Sequence, residues 1–507
     1  MNAPTSPQDL AALAEGAAVV DRVTRRAEVV AALTPLLPAH ALLWQDEDTV
    51  PYECDGLTAY RALPLAVALP ETEAQLSAVL AACHRLGVPV VARGAGTGLS
   101  GGATPHALGV TLSLAKFNKI LKIDPVSRTA VVQGGVRNAA ISEAAARYGL
   151  YYAPDPSSKI ACTIGGNVAE NSGGMHCLKY GLTIHNVLRV RGYTVEGEAV
   201  EFGSEALDVA GLDLLAIVIG SEGMLAVTVE VTVKLVPKPQ LARAILASFD
   251  DVRKAGHAVA ALIGAGIIPA GLEMMDKPMT ACVEDYVHAA YDLEAAAILI
   301  CESDGTPEEV EEEIGRMVAV LESAGATRFD ISRNEAERLK FWSGRMNAFP
   351  ASGRMSPDYM CMDSTIPRNK LAEILVRIAE MEVTYGLRCC NVFHAGDGNL
   401  HPLIMYDAND PDQLHRCELF GADILETSVR LGGTVTGEHG VGIEKLSSMC
   451  VQFTPAEREQ MLAVKRAFDP VELLNPGKVI PTLHRCAEYG KMHVRKGLLP
   501  FPDLPRF

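Results

Sequence analysis

The sequence predicts an α+β protein in two main parts, a Gly-rich first half and a second half of alternating strands and helices. Three observations predict this. The chain has 507 residues, more than one average domain uses. Residues 93–223 hold three turns rich in Gly, Ser and Asn, each set between short apolar segments of strand length. From residue 240 onward, apolar runs of strand length alternate with runs of helical periodicity.

Taken in order, residues 1–57 read as a helical N-terminal segment, Ala-rich and punctuated by Pro38. Residues 58–238 form the next unit. Thr72 and the acids around it start a helix that Gly87 stops, and 88–92 is a short strand. Residues 108–136 alternate apolar and polar around turns at Asp124-Pro125 and Gly134-Gly135, which predicts a strand meander, followed by a helix over 138–148. Strands are expected near 187–202, a helix near 205–209 and a strand over 227–236, before Pro237 and Pro239 close the unit. Residues 239–480 form a third unit, with 244–249, 252–263, 296–302 and 307–324 reading strand, helix, strand, helix. Residues 481–507 are a Pro-punctuated tail expected to pack along the surface.

Composition narrows the function. A chain 49% hydrophobic and 21% charged is of the soluble globular class. A net charge of −17 opposes nucleic-acid binding but not a small anionic substrate, because a local Arg overrides the global field. No basic-then-apolar leader opens the chain and no run of about 18 apolar residues crosses a bilayer, so a cytoplasmic protein is expected. None of the 12 Cys forms a C-x-x-C pair, which argues against an iron–sulfur cluster in this chain and for free reduced thiols.

The first chemical signal is the loop Arg93, Gly94, Ala95, Gly96, Thr97, Gly98, Leu99, Ser100, Gly101. Gly96-x-Gly98-x-x-Gly101 formally matches the dinucleotide fingerprint, but Pro105 follows where a helix should, and Lys116 stands where an acid should. A Rossmann site is therefore excluded. The loop still suits a pyrophosphate, because glycines let backbone N–H groups converge on an anion and Thr97 and Ser100 add hydroxyls. A second block runs through Asp155 and Ser158 to Thr163, Gly165, Gly166, Asn167, Asn171, Gly173 and Gly174, and a third is Gly220-Ser221-Glu222-Gly223. Three such turns in one unit suggest a large cofactor with many polar atoms.

The second signal is residues 391–404, two strand segments around Asp397-Gly398. If that dipeptide is a two-residue loop, His394 stands directly opposite His401, with their Cβ atoms about 5 Å apart on one face, which suits two imidazoles on one metal. Glu438, in Thr436-Gly437-Glu438-His439-Gly440, offers the carboxylate of a two-His, one-acid set for Zn²⁺, Mn²⁺ or Fe²⁺. His439 is a candidate general base for a substrate hydroxyl, and Arg345, in an aromatic setting, a candidate anchor for a carboxylate. Arg354 and Tyr359 are weaker candidates of the same kind.

The three Gly-rich segments resemble the FAD domain of the vanillyl-alcohol oxidase type. That resemblance implies a two-part FAD-binding domain over 58–238 and an α/β substrate (cap) domain with an antiparallel sheet over 239–480 that returns to the flavin. It further implies cofactor contacts at the residues above, at Val229 in the strand after the third turn, and at Asn475. The first loop offers no His for covalent attachment, so FAD is expected to be non-covalent. His-Ala-Gly-Asp-Gly-Asn-x-His and Gly-Glu-His-Gly resemble the metal-dependent 2-hydroxy-acid dehydrogenase branch of this family, which includes D-lactate and D-2-hydroxyglutarate dehydrogenases. It implies His394, His401 and Glu438 as metal ligands, His439 as base, Arg345 as substrate-carboxylate Arg, and hydride transfer from Cα to flavin N5. "RMNAFPASGRMSPDYMCMDSTIPR", "FDPVELLNPGKVIPTLHRCAEYG" and "LPFPDLPRF" are similar to the FAD-linked subunits of bacterial glycolate oxidases.

That similarity implies glycolate or a similar small D-2-hydroxy acid as substrate and two partners, a second flavin-domain subunit and an iron–sulfur subunit, with any membrane contact at the inner face made through them. Where the hydroxyglutarate branch carries a second basic residue, this chain has Met360-Cys361-Met362-Asp363, which favours a small monocarboxylate. The tail 481–507 is the expected partner-docking surface. Competing readings are a stand-alone D-lactate dehydrogenase, a non-catalytic flavin- or metal-binding subunit, and an alkyl-transferring flavoenzyme of the same superfamily.

Overall fold

The computed structural model describes residues 21–206 and 211–482. Most of the tail expected to dock partners, most of the helix expected near 205–209, and the first part of the N-terminal segment lie outside the described residues. Within that segment, residues 21–33 are helical as expected. Residues 39–52 are not one helix but short turns and the strand Leu42–Leu43, which edges the first sheet by pairing with Ala66–Ala68.

The first sheet orders Leu42–Leu43, Ala66–Ala68, Val110–Ser113 and Val90–Arg93, the last three parallel. Helix Glu73–Leu86 covers it. Thr72 caps this helix in a reciprocal capping box with Gln75, and Gly87 ends it in the left-handed region at φ 60°. Its buried Leu76, Val79, Leu80 and Cys83 fall on one face at helical spacing. The second sheet is antiparallel and orders Ile120–Asp124, Thr129–Gln133, Val227–Lys234, Val187–Tyr193 and Ala199–Gly203. The helix that precedes its central strand is Leu214–Val218, capped by Asp213.

The third sheet has seven strands in the order Arg328–Ile331, Leu241–Phe249, Ala297–Gly305, Gly271–Asp276, Cys389–Phe393, Pro402–Tyr406, Asp358–Cys361. All its pairings are antiparallel. Helices cover both faces. Val252–Gly264, Pro307–Ser323 and Leu371–Tyr385 pack on one, around Leu262, Ile314 and Ile378. Lys277–Val287 and Glu335–Met346 pack on the other, around Met279 and Trp342. Strand Gly271–Asp276 escapes sequence reasoning because Glu273 and Asp276 interrupt its apolar run, yet both are buried. After residue 470 the chain returns to the first sheet, where Val90 donates to Leu473 and Asn475 donates to Val90.

One clasp ties the Gly-rich half to the third sheet. His176 Nδ1 lies 2.8 Å from Asp155 and its Nε2 3.3 Å from Glu302, whose other oxygen receives Arg338 and the Trp342 indole. Burial opposes a charge on His176, but the facing Asp155 and Glu302 outweigh it and hold the pKa well above 6.5. A raised folded-state pKa means the clasp stabilises fully below the unfolded pKa and is lost as pH climbs through the folded one. The thermal midpoint of His176→Gln is therefore expected to fall below wild type at pH 6, with the gap closing at alkaline pH; a pH-independent gap contradicts this.

Candidate active site

Strand Val90–Arg93 delivers the first Gly-rich loop to the wall of a cavity of about 520 Å³. Arg93, Gly94, Ala95, Gly96, Thr97 and Gly98 line it, with Ser158, Thr163, Gly165, Gly166, Asn167, Glu222 and Gly223 from the later turns. Gly96 takes φ 69° and packs directly against the Arg93 guanidinium, where a Cβ would collide. Gly165 lies against the Gly134 backbone in the same way. Thr163 Oγ1 and Asn167 Nδ2 are buried on this wall without a protein partner. A cradle of backbone with orphaned polar atoms fits a large, polar, flat-edged cofactor such as FAD.

The remaining expected contacts stand off the wall and brace it. The Ser100 carbonyl receives the amides of Ile443 and Glu444, and Gly101 packs on Ile443. Asp155 is committed to His176 with Gly174 against it, and Asn171 caps a helix at φ 53°. Gly173 is pressed against Glu438, and Val229 is interior to the second sheet. Asn475 donates to the Gly102 and Glu222 carbonyls. Sequence reasoning missed Glu170, Ser172 and Thr228, and from the other half Asn347 and Phe349; Tyr359 was anticipated.

At one end of the same cavity stand His401, Glu438 and His439. The hairpin before them differs in register from the two-residue loop expected. Asn391 pairs with Pro402 and His394 bridges to Asn399, so the turn spans four residues. Of its residues Gly398 alone has positive φ, 76°, whereas a two-residue type I′ loop needs positive φ at both positions. The slip is an even number of residues, so His394 and His401 keep the same face and meet diagonally, ring centroids 5.0 Å apart.

Glu438 Oε1 lies 3.0 Å from His394 Nε2 and 3.3 Å from His401 Nε2. One ligand atom from each of the three falls within 4.8 Å of the others, and all three side chains are buried. His401 Nε2, also 3.5 Å from Asp363, is aligned for a hydrogen bond to neither carboxylate. Glu273 Oε1, 2.8 Å from His394 Nδ1, orients that ring so that Nε2 faces the cluster. Burial opposes protonation of His394, but Glu273 and Glu438 draw its pKa up to about 10. Glu438, despite burial, is held well below the carboxylate range by His394 and His401. A site that so favours positive charge, with His and carboxylate donors converging, fits a divalent cation.

His439 stacks on His401 at 4.7 Å and 7°, and its Nδ1 has no hydrogen-bond partner. Burial pushes its pKa down to about 4, against the pull of Asp363, so the ring is a neutral base near pH 7. Arg345 is not on the cavity wall. Its Nε is 2.6 Å from Glu273, and a terminal nitrogen lies 3.3 Å from His394. The other terminal nitrogen is buried and unpaired. Arg354 pairs with Asp285 at the surface, away from the site. Lys445, fully buried, donates to Asp363 at 3.1 Å, so the cation nearest the Met360–Asp363 segment is already neutralised.

Gly173, from the Gly-rich half, packs against this cluster, where an added Cβ would collide with Glu438 Oε2. Gly173→Ala is expected to displace Glu438 and so to weaken the affinity of the cluster for an added divalent cation at least tenfold, read as lower metal content after dialysis. Unchanged metal content overturns that expectation.

A Gly-lined cavity that also exposes His401, Glu438 and His439 fits a flavin-dependent oxidoreductase. Comparison with known proteins agrees. Residues 64–203 match the family model for an FAD binding domain, and residues 238–479 the model for FAD linked oxidases, C-terminal domain. The chain is 59% identical over 482 residues to glycolate oxidase subunit GlcD of Escherichia coli (strain K12), covering 95% of this chain and 97% of that one. It is 31% identical over 467 residues to a D-lactate dehydrogenase of Anaerostipes hadrus, covering 89% and 97%. The solved structure of p-cresol methylhydroxylase with substrate bound shares the fold, with TM-score 0.78 at 18% identity over 91% of this chain and 98% of that one. The chain belongs to the FAD-linked oxidase family that contains the GlcD subunits. The α+β architecture with an FAD-binding domain of vanillyl-alcohol oxidase type is thereby borne out.

Proposed function

We propose that this chain is the substrate-oxidising subunit of a glycolate-oxidising enzyme, converting glycolate or a similar small D-2-hydroxy acid to the 2-oxo acid. The observation that carries the reading is one cavity lined both by the Gly-rich turns and by His401, Glu438 and His439. Similarity to GlcD supports glycolate, and the engagement of Lys445 by Asp363, which leaves that cation neutralised, supports a monocarboxylate. FAD, which the Gly-rich turns would hold, would supply a two-electron acceptor for the substrate's Cα hydrogen. His394, His401 and Glu438 would hold a divalent cation (Zn²⁺, Mn²⁺ or Fe²⁺), which supplies Lewis acidity toward an alcohol oxygen.

The chain's own residues do the rest. His439, kept neutral by burial, takes the hydroxyl proton. Arg345, expected as the carboxylate anchor, instead stands behind the wall, where it pairs with Glu273 and lies against His394 and so helps to orient that ring. Phe349 and Tyr359 wall off the cavity beside His401 and restrict it to a small acid.

Electrons leave to partner subunits. The described residues contain no cysteine among their metal-binding groups, and the relative is itself named a subunit. A second flavin-domain chain and an iron–sulfur chain fit that need. Among the described residues no helix is long and apolar enough to cross a membrane; we place the chain in the cytoplasm, reaching the membrane through its partners. The D-lactate dehydrogenase relatives favour D-lactate as the second reading. Purified, metal-quantified protein assayed with an artificial acceptor separates the two. A higher kcat/KM for glycolate than for D-lactate is expected; no turnover of any short 2-hydroxy acid overturns the proposal.

A further inference from the structure

Resting on the metal reading above, the loop that carries Glu438 and His439 has an unusual support. Between Gly437 and Gly442, five backbone N–H groups donate to two buried carboxylates that come from different halves of the molecule. Asp363, at the end of the third sheet, accepts from Gly437 at 2.8 Å, Glu438 at 3.1 Å and His439 at 3.1 Å. Glu222, from the third Gly-rich turn, accepts from Val441 at 2.7 Å and Gly442 at 2.8 Å, one on each oxygen. Thr436 Oγ1 and Lys445 Nζ complete the shell of Asp363.

Glu222 is costly to place. It adopts φ 50°, in the left-handed region that glycine occupies more cheaply, between Gly220 at 82° and Gly223 at 72°. Its carbonyl is pinned at 2.6 Å by Asn475. It is buried, and Gly440 at φ 83° has no room for a Cβ between it and Glu170. A turn that needed only to wrap a cofactor would not require a carboxylate in this strained position. Its side chain grips the loop of the opposite half. Glu222 also stands on the wall of the FAD cavity. The same residue therefore meets both sites.

We propose that Glu222 and Asp363 are positioning residues that set the Gly437–Gly442 loop between the two halves, and that Glu222 links FAD occupancy to divalent-cation affinity. An ordered FAD cavity fixes the Ser221–Gly223 turn, the turn fixes Val441 and Gly442, and the loop then presents Glu438 to His394 and His401. Linkage is reciprocal, so cation binding tightens FAD by the same factor.

The test uses the full chain, with zinc affinity measured by chelator competition with and without saturating FAD. In wild type, FAD is expected to tighten zinc about tenfold or more, the scale of an outer-shell support. Glu222→Gln, at saturating FAD verified by flavin absorbance, should weaken zinc about 10- to 100-fold and lose the FAD dependence, while Glu222→Asp recovers part of it. Asp363→Asn should weaken zinc with and without FAD. If FAD-stripped wild type does not stay folded, hydrogen exchange of the 437–442 amides in FAD-loaded Glu222→Gln replaces that arm, with faster exchange expected. Equal zinc affinity with and without FAD, or unchanged affinity and exchange in Glu222→Gln, overturns the linkage while leaving the metal site standing. Failure of FAD-loaded wild type to bind zinc, manganese or iron overturns the metal reading together with it.

Discussion

His439→Ala is expected to lower kcat by about 10²- to 10⁴-fold, the range of a positioned general base, with FAD still bound. His439 is half-buried, and desolvation of its ring pushes its pKa down to about 4, so it accepts a proton at neutral pH without first losing one. Its Nδ1 has no partner inside the protein, and the ring lines the cavity beside Glu438. Truncation also removes the face on which His401 stacks, so His401 could shift and loosen the cluster. His439→Phe separates the two effects, because it keeps an aromatic face against His401 and removes both nitrogens. The expected result is full metal content and low kcat in the Phe variant. Turnover intact in both variants, with FAD bound, would remove His439 from the role of base.

The sequence showed where backbone would lie close to a ligand but not what would hold the catalytic loop. Thr72 and Gly87 announced a helix because capping chemistry is local and depends on adjacent residues alone. The Gly-rich turns were legible for the same reason. The hairpin register was not, since it depends on whether Asp397 takes positive φ, and it does not. His394 and His401 still met, because strand periodicity forgives a slip of an even number of residues. Glu273 was hidden, Asp363 was named without its role, and Glu222 was expected at the cofactor rather than on the catalytic loop. Their partners lie 72, 76 and 220 residues away, Arg345 for Glu273, His439 for Asp363 and Gly442 for Glu222. Arg345 was found by type but not by place, because only the fold reveals that Glu273 draws it behind His394.

Removing a ligand of the cation cluster is expected to abolish activity and bound metal together while sparing the flavin. Glu438→Gln keeps the shape of the side chain but removes the charge that His394 and His401 face at 3.0 and 3.3 Å. His401→Ala removes a ligand nitrogen that makes no competing hydrogen bond. Losing one of three protein ligands should be felt more strongly than the 10- to 100-fold affinity loss typical of outer-shell partners, so neither variant should retain stoichiometric metal after dialysis. Chelation of wild type should reproduce the defect, and added Zn²⁺, Mn²⁺ or Fe²⁺ should reverse it in wild type but not in the variants. The ion that restores the highest kcat identifies the working metal. At saturating FAD the flavin absorbance should stay at wild-type level, because the Gly-rich turns supply most of the cavity wall, while FAD affinity falls by the factor by which FAD tightens the cation. If metal-free wild type oxidises glycolate at the full rate, then His394 and Glu438 serve as an ion pair rather than as ligands. Their 3.0 Å contact would then carry the structural role alone.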